Sequence, residues 1–408
     1  MAVAAGVALS IVALNRRSLP GLRTTLVATA ICVAFAVCSV VLLAHTLASP
    51  PSGDLRCRDD VAATTFGGAD QLRSGHNPYT SYDALRTAQA YGCAHIAATA
   101  LRRGQFASAT AAPSGPAVAA AVQAALHDPS RPEIERNLNY PSGSFLLGLV
   151  GPAAFPWVMA LLLVGALALT VRRATTDRRA VALALAAQVA LLALIPDGHT
   201  DAAVVAMLLI ACASPTTLLG GLALGLACGT KQTAWFLVPT LLATAYARGG
   251  RRGLLRAGGG VAIGFGTLNL PFVFMGASAY IHGVMGPLVD GLFPLGVGPI
   301  GLVTSGVLPI QAAPLFTALM LCCVVASVPV ALRWDRTHPG IGVLLGSLAL
   351  FVGPRSLLEY IAGAGVLVVC ATATAPRGVG ARQRAPKKVG GAGFEPATRS
   401  GELVDPIH

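Results

Sequence analysis

The sequence predicts an all-α fold: a polytopic membrane helix bundle of about 10–11 helices with one large outer loop. Three observations lead there. Hydrophobic residues make up 54% of the 408 residues and charged ones only 11%, with a mean hydropathy of +0.68, more apolar surface than a water-soluble chain could cover. Apolar runs recur almost to the C-terminus without the alternating polar pattern of barrel strands, and lipid leaves helices as the other spanning structure. Finally, arginines cluster in short segments between those runs.

Taken in order, residues 1–23 form a short N-terminal segment, apolar over 1–14 and then basic. The apolar part is too short to cross comfortably and lacks the basic start of a signal peptide, so it reads as a truncated or interfacial helix. Residues 24–48 form the first core membrane helix, and 49–142 a long polar loop. A multi-helix membrane domain follows over 143–375, with apolar runs at 152–171, 180–196, 200–214, 216–230, 233–247, 257–275, 312–332, 340–353 and 356–375. Residues 376–408 are rich in Gly, Arg and Lys and read as a disordered cytoplasmic tail. Its Gly393-Phe394-Glu395-Pro396 is what the complement of a transfer-RNA T-arm encodes, so the last stretch is expected to carry no evolved function.

Charge placement sets the orientation. Arg16, Arg17 and Arg23; Arg172, Arg173, Arg178 and Arg179; Arg248, Arg251, Arg252 and Arg256; Arg333 and Arg336; and Arg377, Arg382, Arg384, Lys387 and Lys388 all fall on one face with these spans. That face is expected to be cytoplasmic, making the protein a multi-pass protein of the cell membrane. The net charge of +12 is thereby a topology signal, and no basic stretch is interleaved with aromatics, which excludes nucleic acid as a partner. The opposite, extracytoplasmic face collects loop 49–142, the turn at 196–201, Lys231, segment 276–311 and the turn at 353–356.

Seven of the nine cysteines lie in apolar runs as small core residues. Cys57 and Cys93 lie in the long loop, where an oxidising compartment would join them in a disulfide. That loop balances eight arginines against eight acids, and its length predicts a role rather than a simple connection.

The candidate site residues cluster on the outer face. Asp59 and Asp60 open the loop just past a span; they read either as a proton-accepting pair or as solvated acids at a helix start. Lys231, the only lysine before the tail, sits between two apolar runs, where an ammonium demands a partner: a lipid phosphate or the interface itself. Asp197, His199 and Asp201 share a turn that could contact phosphate or a divalent cation, although the spacing fits no strong metal template, so no cofactor is assigned. Arg355 either pairs with Glu359 one turn later or faces a phosphate. His282 and Asp290 are weaker candidates. "GGLALGLACG" at 220–229 is read as close helix packing through small residues, not as a nucleotide loop.

The stretches "DDVAATTFGGADQLRSGHNPYTSY" and "RNLNYPSGSFLLGLVGPAAFP" together resemble the first outer loop of GT-C superfamily integral-membrane glycosyltransferases, the polyprenol-phosphate-mannose-dependent alpha-1,2-mannosyltransferase family and its arabinofuranosyltransferase relatives. In that family an Asp opens the loop, a small-residue helix ends in Gly before Asn-Pro-Tyr, and Tyr-Pro-Pro begins the next membrane element. Asp60, Gly75, Asn77, Pro78, Tyr79, Tyr140 and Pro141 match, and Lys231 matches a Lys in a second block after a Gly-rich helix. Ser142 departs from the second Pro, and Asp60 lies one residue farther from Gly75 than the pattern has it. The resemblance implies transfer of a mannose-like or arabinofuranose-like sugar from a polyprenyl-phosphate donor to a glycolipid or cell-wall glycan. Asp60, or alternatively Asp59, would be the general base, with Lys231, Arg355, His199, Tyr79 and Tyr140 binding substrate. One carboxylate suffices because a phosphate leaves without protonation. The competing class is a transporter or flippase using the same polar residues along a path.

Overall fold

The computed structural model describes residues 55–57, 60–96, 114–128, 136–175, 199–289, 295–296, 298–309 and 313–375. The runs expected at 1–14, 24–48 and 180–196, the acids Asp59, Asp197 and Asp290, and the tail lie outside them. The described chain is all-α apart from a two-residue parallel bridge that pairs Leu295–Gly296 with Arg355–Ser356.

Loop 49–142 folds on itself. Helices α1 (Asp60–Arg73), α2 (Pro78–Ser81), α3 (Ala84–Ala90) and α4 (Gly115–His127) follow one another. A small core of Leu85, Ala88, Cys93, Val118, Val122 and Ala125 sits beneath α3 and α4. The expected disulfide between Cys57 and Cys93 is present, closing a separation of 36 residues at a Cα–Cα distance of 5.1 Å. Beside it Asp70 accepts from Tyr91 at 2.6 Å and pairs with Arg73 at 2.7 Å and Arg56 at 3.4 Å. Both ends of α1 are therefore tied to the rest of the loop.

Beyond the loop come α5 (Gly143–Gly148), α6 (Phe155–Arg173), α7 (Asp201–Ala213), α8 (Leu218–Cys228), α9 (Val238–Val289), α10 (Gly301–Thr304), α11 (Ala313–Trp334), α12 (Ile341–Val352) and α13 (Leu358–Ala373), of which α5 and α10 lie outside the expected apolar runs. Among the described residues, three stretches are long and apolar enough to cross a membrane: Phe155–Arg173, Gln232–Leu288 and Pro314–Trp334. They carry large apolar side chains outward, with Trp157 at 72%, Phe274 at 83% and Val325 at 70% exposure, a surface suited to lipid contact rather than to water. α9 is not continuous: Gly250 (φ 59°, ψ −157°) reverses the chain, and a second break falls at Gly276. A left-handed φ is cheap only for glycine, and the Cβ position of Gly253 lies 2.6 Å from the Ala245 carbonyl oxygen, so the two limbs fold back on each other.

Contacts at the helix termini define two ends. At one, Arg173 donates to Ser214, Thr175 to the Ala373 carbonyl (2.9 Å), Arg336 to the Ala247 carbonyl (2.7 Å) and Arg248 to the Ala371 carbonyl (3.4 Å). The described arginine clusters around 172, 248–256 and 333–336 thus share one end, as the sequence pattern predicts. At the other end Phe66 meets Phe155 edge-on at 5.3 Å, and the Gly143 amide donates to the Gly229 carbonyl at 2.8 Å, which joins the outer loop to the bundle.

The closest helix contact is α8 against the second limb of α9. Cβ positions at Gly221 and Gly225 would collide with the Ala257 and Val261 carbonyls, and those at Gly260 and Gly264 with the α8 backbone at Leu218 and Leu222. The Gly-rich stretch is therefore a packing face, as its small residues predict.

Candidate functional site

The loop end gathers the polar residues. The Asn77 side chain caps α2 by accepting from the Tyr79 amide at 3.1 Å, and Pro78 supplies the preset φ of a first helical residue. Tyr79 is thereby driven inward to 1% exposure among Phe145, Phe272 and Tyr280. Its hydroxyl donates to the Tyr140 carbonyl at 2.8 Å and lies 3.2 Å from the Ser142 hydroxyl. Tyr79, expected to bind substrate, is buried in a core, where its hydroxyl pins the outer loop to the turn at 140–142.

Ser142 is held by Asn269. The Ser142 amide donates to Asn269 Oδ1 at 2.9 Å, and Tyr280 donates to the same oxygen at 2.9 Å. Proline has no such hydrogen to give.

Lys231 follows α8 in an extended conformation, ahead of a 3₁₀ turn over Gln232–Leu237. It is 2% exposed, and its ammonium meets Asp201 Oδ2 at 2.6 Å. The ring centroids of Tyr140 and Tyr360 lie 5.8 and 5.5 Å from Nζ, within range of cation–π attraction. His199 Nδ1 stands 3.4 Å from the same Asp201 oxygen. Next to the lysine, the Gln232 amide donates to the Asn139 and Val284 carbonyls at 2.6 and 3.0 Å. The buried lysine has the partner its burial demands, a carboxylate from the neighbouring helix. An isolated ammonium here would cost several kcal/mol, which Asp201 offsets.

Asp60 is the first residue of α1 and half-buried. Burial, moderated by a hydrogen bond to Thr64 and reinforced by the Asp60 charge, pushes the Tyr82 phenol up to about 12, so Tyr82 stays a neutral neighbour of this acid. α1 is fastened to the lysine-bearing turn through α5: Thr65 and Ser144 hydroxyls are 3.0 Å apart, and the amide of the preceding residue, Gly143, donates to the Gly229 carbonyl. Arg355 lies in the short bridge just before α13, five residues ahead of Tyr360; the Glu359 side chain lies outside what is described.

The structure thus brings His199, Lys231 and Tyr140 together, fastens Asp60's helix to the same node, and sets Arg355 at the same end. Sequence reading weighed Asp201 only as a phosphate or cation contact, and it missed Tyr360 entirely. The one signal for Asp201 was its position, an acid opening an apolar helix. Among the described residues no three His, Cys, Asp or Glu side chains are grouped to hold a metal ion.

No protein-family model matches this chain, and no curated protein or solved structure matches it.

Proposed function

We propose that the chain is a multi-pass membrane glycosyltransferase of GT-C type, acting at the loop end on the outer face. What carries the reading is that residues matching the family pattern in separate parts of the sequence share one structural node: the Tyr140 ring stands 5.8 Å from the Lys231 ammonium, and the Tyr140 carbonyl takes the Tyr79 hydroxyl. In this reading the arginine-rich end faces the cytoplasm, and a polyprenyl-phosphate sugar lies with its chain among the helices.

Asp60 takes the proton from an acceptor hydroxyl. That oxygen attacks the anomeric carbon, the bond from this carbon to the phosphate oxygen breaks, and polyprenyl phosphate leaves with the electron pair. Lys231, Arg355 and His199 stabilise the departing charge, work worth several kcal/mol per donor where water is excluded. The acceptor is a glycolipid or cell-wall glycan.

The test is incubation of membranes carrying wild type or Asp60→Asn with radiolabelled polyprenyl-phosphate mannose or arabinose. Wild type should label lipid or glycan from one donor, and Asp60→Asn should lose roughly 10²–10⁴-fold in rate. Equal transfer by the variant removes Asp60 as base.

A second reading is favoured by one observation. A buried Lys–Asp–His group between helices is also what carriers use to couple solute and proton movement. It gains if wild type consumes neither donor while reconstituted vesicles take up a lipid-linked sugar or small solute.

A further inference from the structure

We propose that the second limb of α9, residues 251–275, is a site for an anionic phospholipid: Arg251, Arg252 and Arg256 take the headgroup, and the exposed face beyond them takes an acyl chain. The inference needs only that this limb crosses a membrane, and it is independent of the transfer chemistry proposed above.

Gly250 turns the chain with its left-handed φ of 59°, and the limb that follows opens with Arg251 and Arg252 and, one turn on, Leu255 and Arg256. All three arginines are exposed, and at helical spacing they cover adjoining strips of one side, with Leu255 among them at 62% exposure. Arg248 and Arg336, at the same end, are bonded inside the protein, to Asp335 and to the Ala247 carbonyl. The sequence has no acid between Asp201 and Asp290, and Asp335, the carboxylate brought to this turn, is already gripped by Arg248. The turn is therefore a cationic surface whose complement is an anion, and a phosphate suits the planar fork of arginine. Exposed Tyr246 and Trp334 belong to the same end, and such rings favour the headgroup level of a bilayer.

Beyond the arginines the exposed face continues through Gly259, Ile263, Leu270 and Phe274. From Arg256 to Phe274 a helix rises about 27 Å, close to the ~30 Å hydrocarbon core. A lipid phosphate held at the arginines thus lays its chain along an apolar stripe of matching length. Gly258 and Gly259 lack the packing reason that explains Gly260 and Gly264. Their Cβ positions meet nothing within 4 Å among the described residues, although glycine weakens a helix relative to alanine. They leave a shallow step just past Arg256, where an acyl chain leaving a bound phosphate begins. A second copy of the chain could also fit such a step, but it would set three arginines against three, which like charge opposes.

The experiment follows lipid retention by the full chain in detergent, using native mass spectrometry with phosphatidylglycerol and phosphatidylcholine of equal chain length, and follows melting by intrinsic fluorescence. Wild type should hold phosphatidylglycerol at least about tenfold more tightly than phosphatidylcholine. Arg251→Gln, Arg252→Gln and Arg256→Gln combined should bring the two lipids to parity, and the three Arg→Lys changes combined should keep most of the preference. Gly258→Leu with Gly259→Leu should weaken retention of both lipids severalfold without lowering the melting temperature, because the new side chains enter open space. Equal retention of the two lipids by wild type overturns the proposal. So does a preference that survives the triple Gln variant, which would place it on other arginines of this end, or unchanged retention in the glycine variant. A dimer that the glycine variant dissociates would assign the face to a second copy and overturn the lipid site as well.

Discussion

Two buried ion pairs sit at opposite ends of the bundle, and they are built differently. At the arginine-rich end Arg248 grips Asp335 with both Nε and Nη2, the second at 3.1 Å, while the Gly340 amide donates to Asp335 at 3.3 Å and Arg336 closes on the Ala247 carbonyl. A planar guanidinium meeting a carboxylate with two bonds, its acceptors shared with backbone, is a closed structural clamp. At the loop end Lys231 meets Asp201 through one oxygen, with a histidine and two tyrosine rings around them. The same desolvation is offset at both ends, by a planar guanidinium with two bonds at one and by a point-charge ammonium beside aromatic rings at the other. Burial alone therefore does not mark a site. The number and kind of bonds that satisfy the buried charge distinguish the two.

That contrast breaks if damage at the clamp reaches the site. Asp335→Asn removes the charge facing Arg248 inside the fold, and orphaning one member of a buried pair costs about 3–5 kcal/mol. Melting in detergent should fall sharply, while polyprenyl-phosphate affinity per folded molecule stays as in wild type. A tenfold loss of affinity in the folded fraction would mean that the two ends are one device.

A somewhat smaller effect is expected from Cys57→Ser. The disulfide closes 36 residues and lies three residues before Asp60, so its loss should cost about 2–4 kcal/mol of loop stability. Limited proteolysis of the loop should accelerate, and transfer activity should drop with reducing agent in wild type but not in the variant. Insensitivity of both readouts would show that the helix carrying Asp60 is fixed by its other contacts.

The smallest change is Ser142→Pro. It deletes the hydrogen that Asn269 receives, a loss of about 1–3 kcal/mol for a buried acceptor. Asn269 keeps its bond from Tyr280, which should hold the penalty near the lower figure. Pairing the change with Asn269→Leu should recover part of the loss if this bond is the reason for the serine.

Much of this was legible in sequence. The apolar runs between 152 and 375 that fall in the described residues became helices, because hydropathy reports burial or lipid contact directly. The arginine clusters were found at one end, and Cys57 and Cys93 were found joined. Pairings across the bundle were not legible. Asp201 lies 30 residues from Lys231 and Asp335 lies 87 from Arg248, separations that no helical periodicity encodes. The burial of Tyr79 was not legible for another reason: an Asn-Pro-Tyr sequence looks the same whether its tyrosine faces solvent or a core, and only the aromatic neighbours from α5 and α9 place it.

The glycine-to-backbone seam between α8 and the second limb of α9 works as a ruler. Gly221, Gly225, Gly260 and Gly264 leave no side chain between the two helices, so neither can slide without a steric collision, and a slip of one turn would be about 5.4 Å. Lys231 hangs from the end of α8 and Asn269 rides on the opposite helix, so the depth of the ammonium in the bilayer is graduated by this seam. In the proposed glycosyltransferase reading, a lipid-linked headgroup approaching from the side finds the cation at one height only.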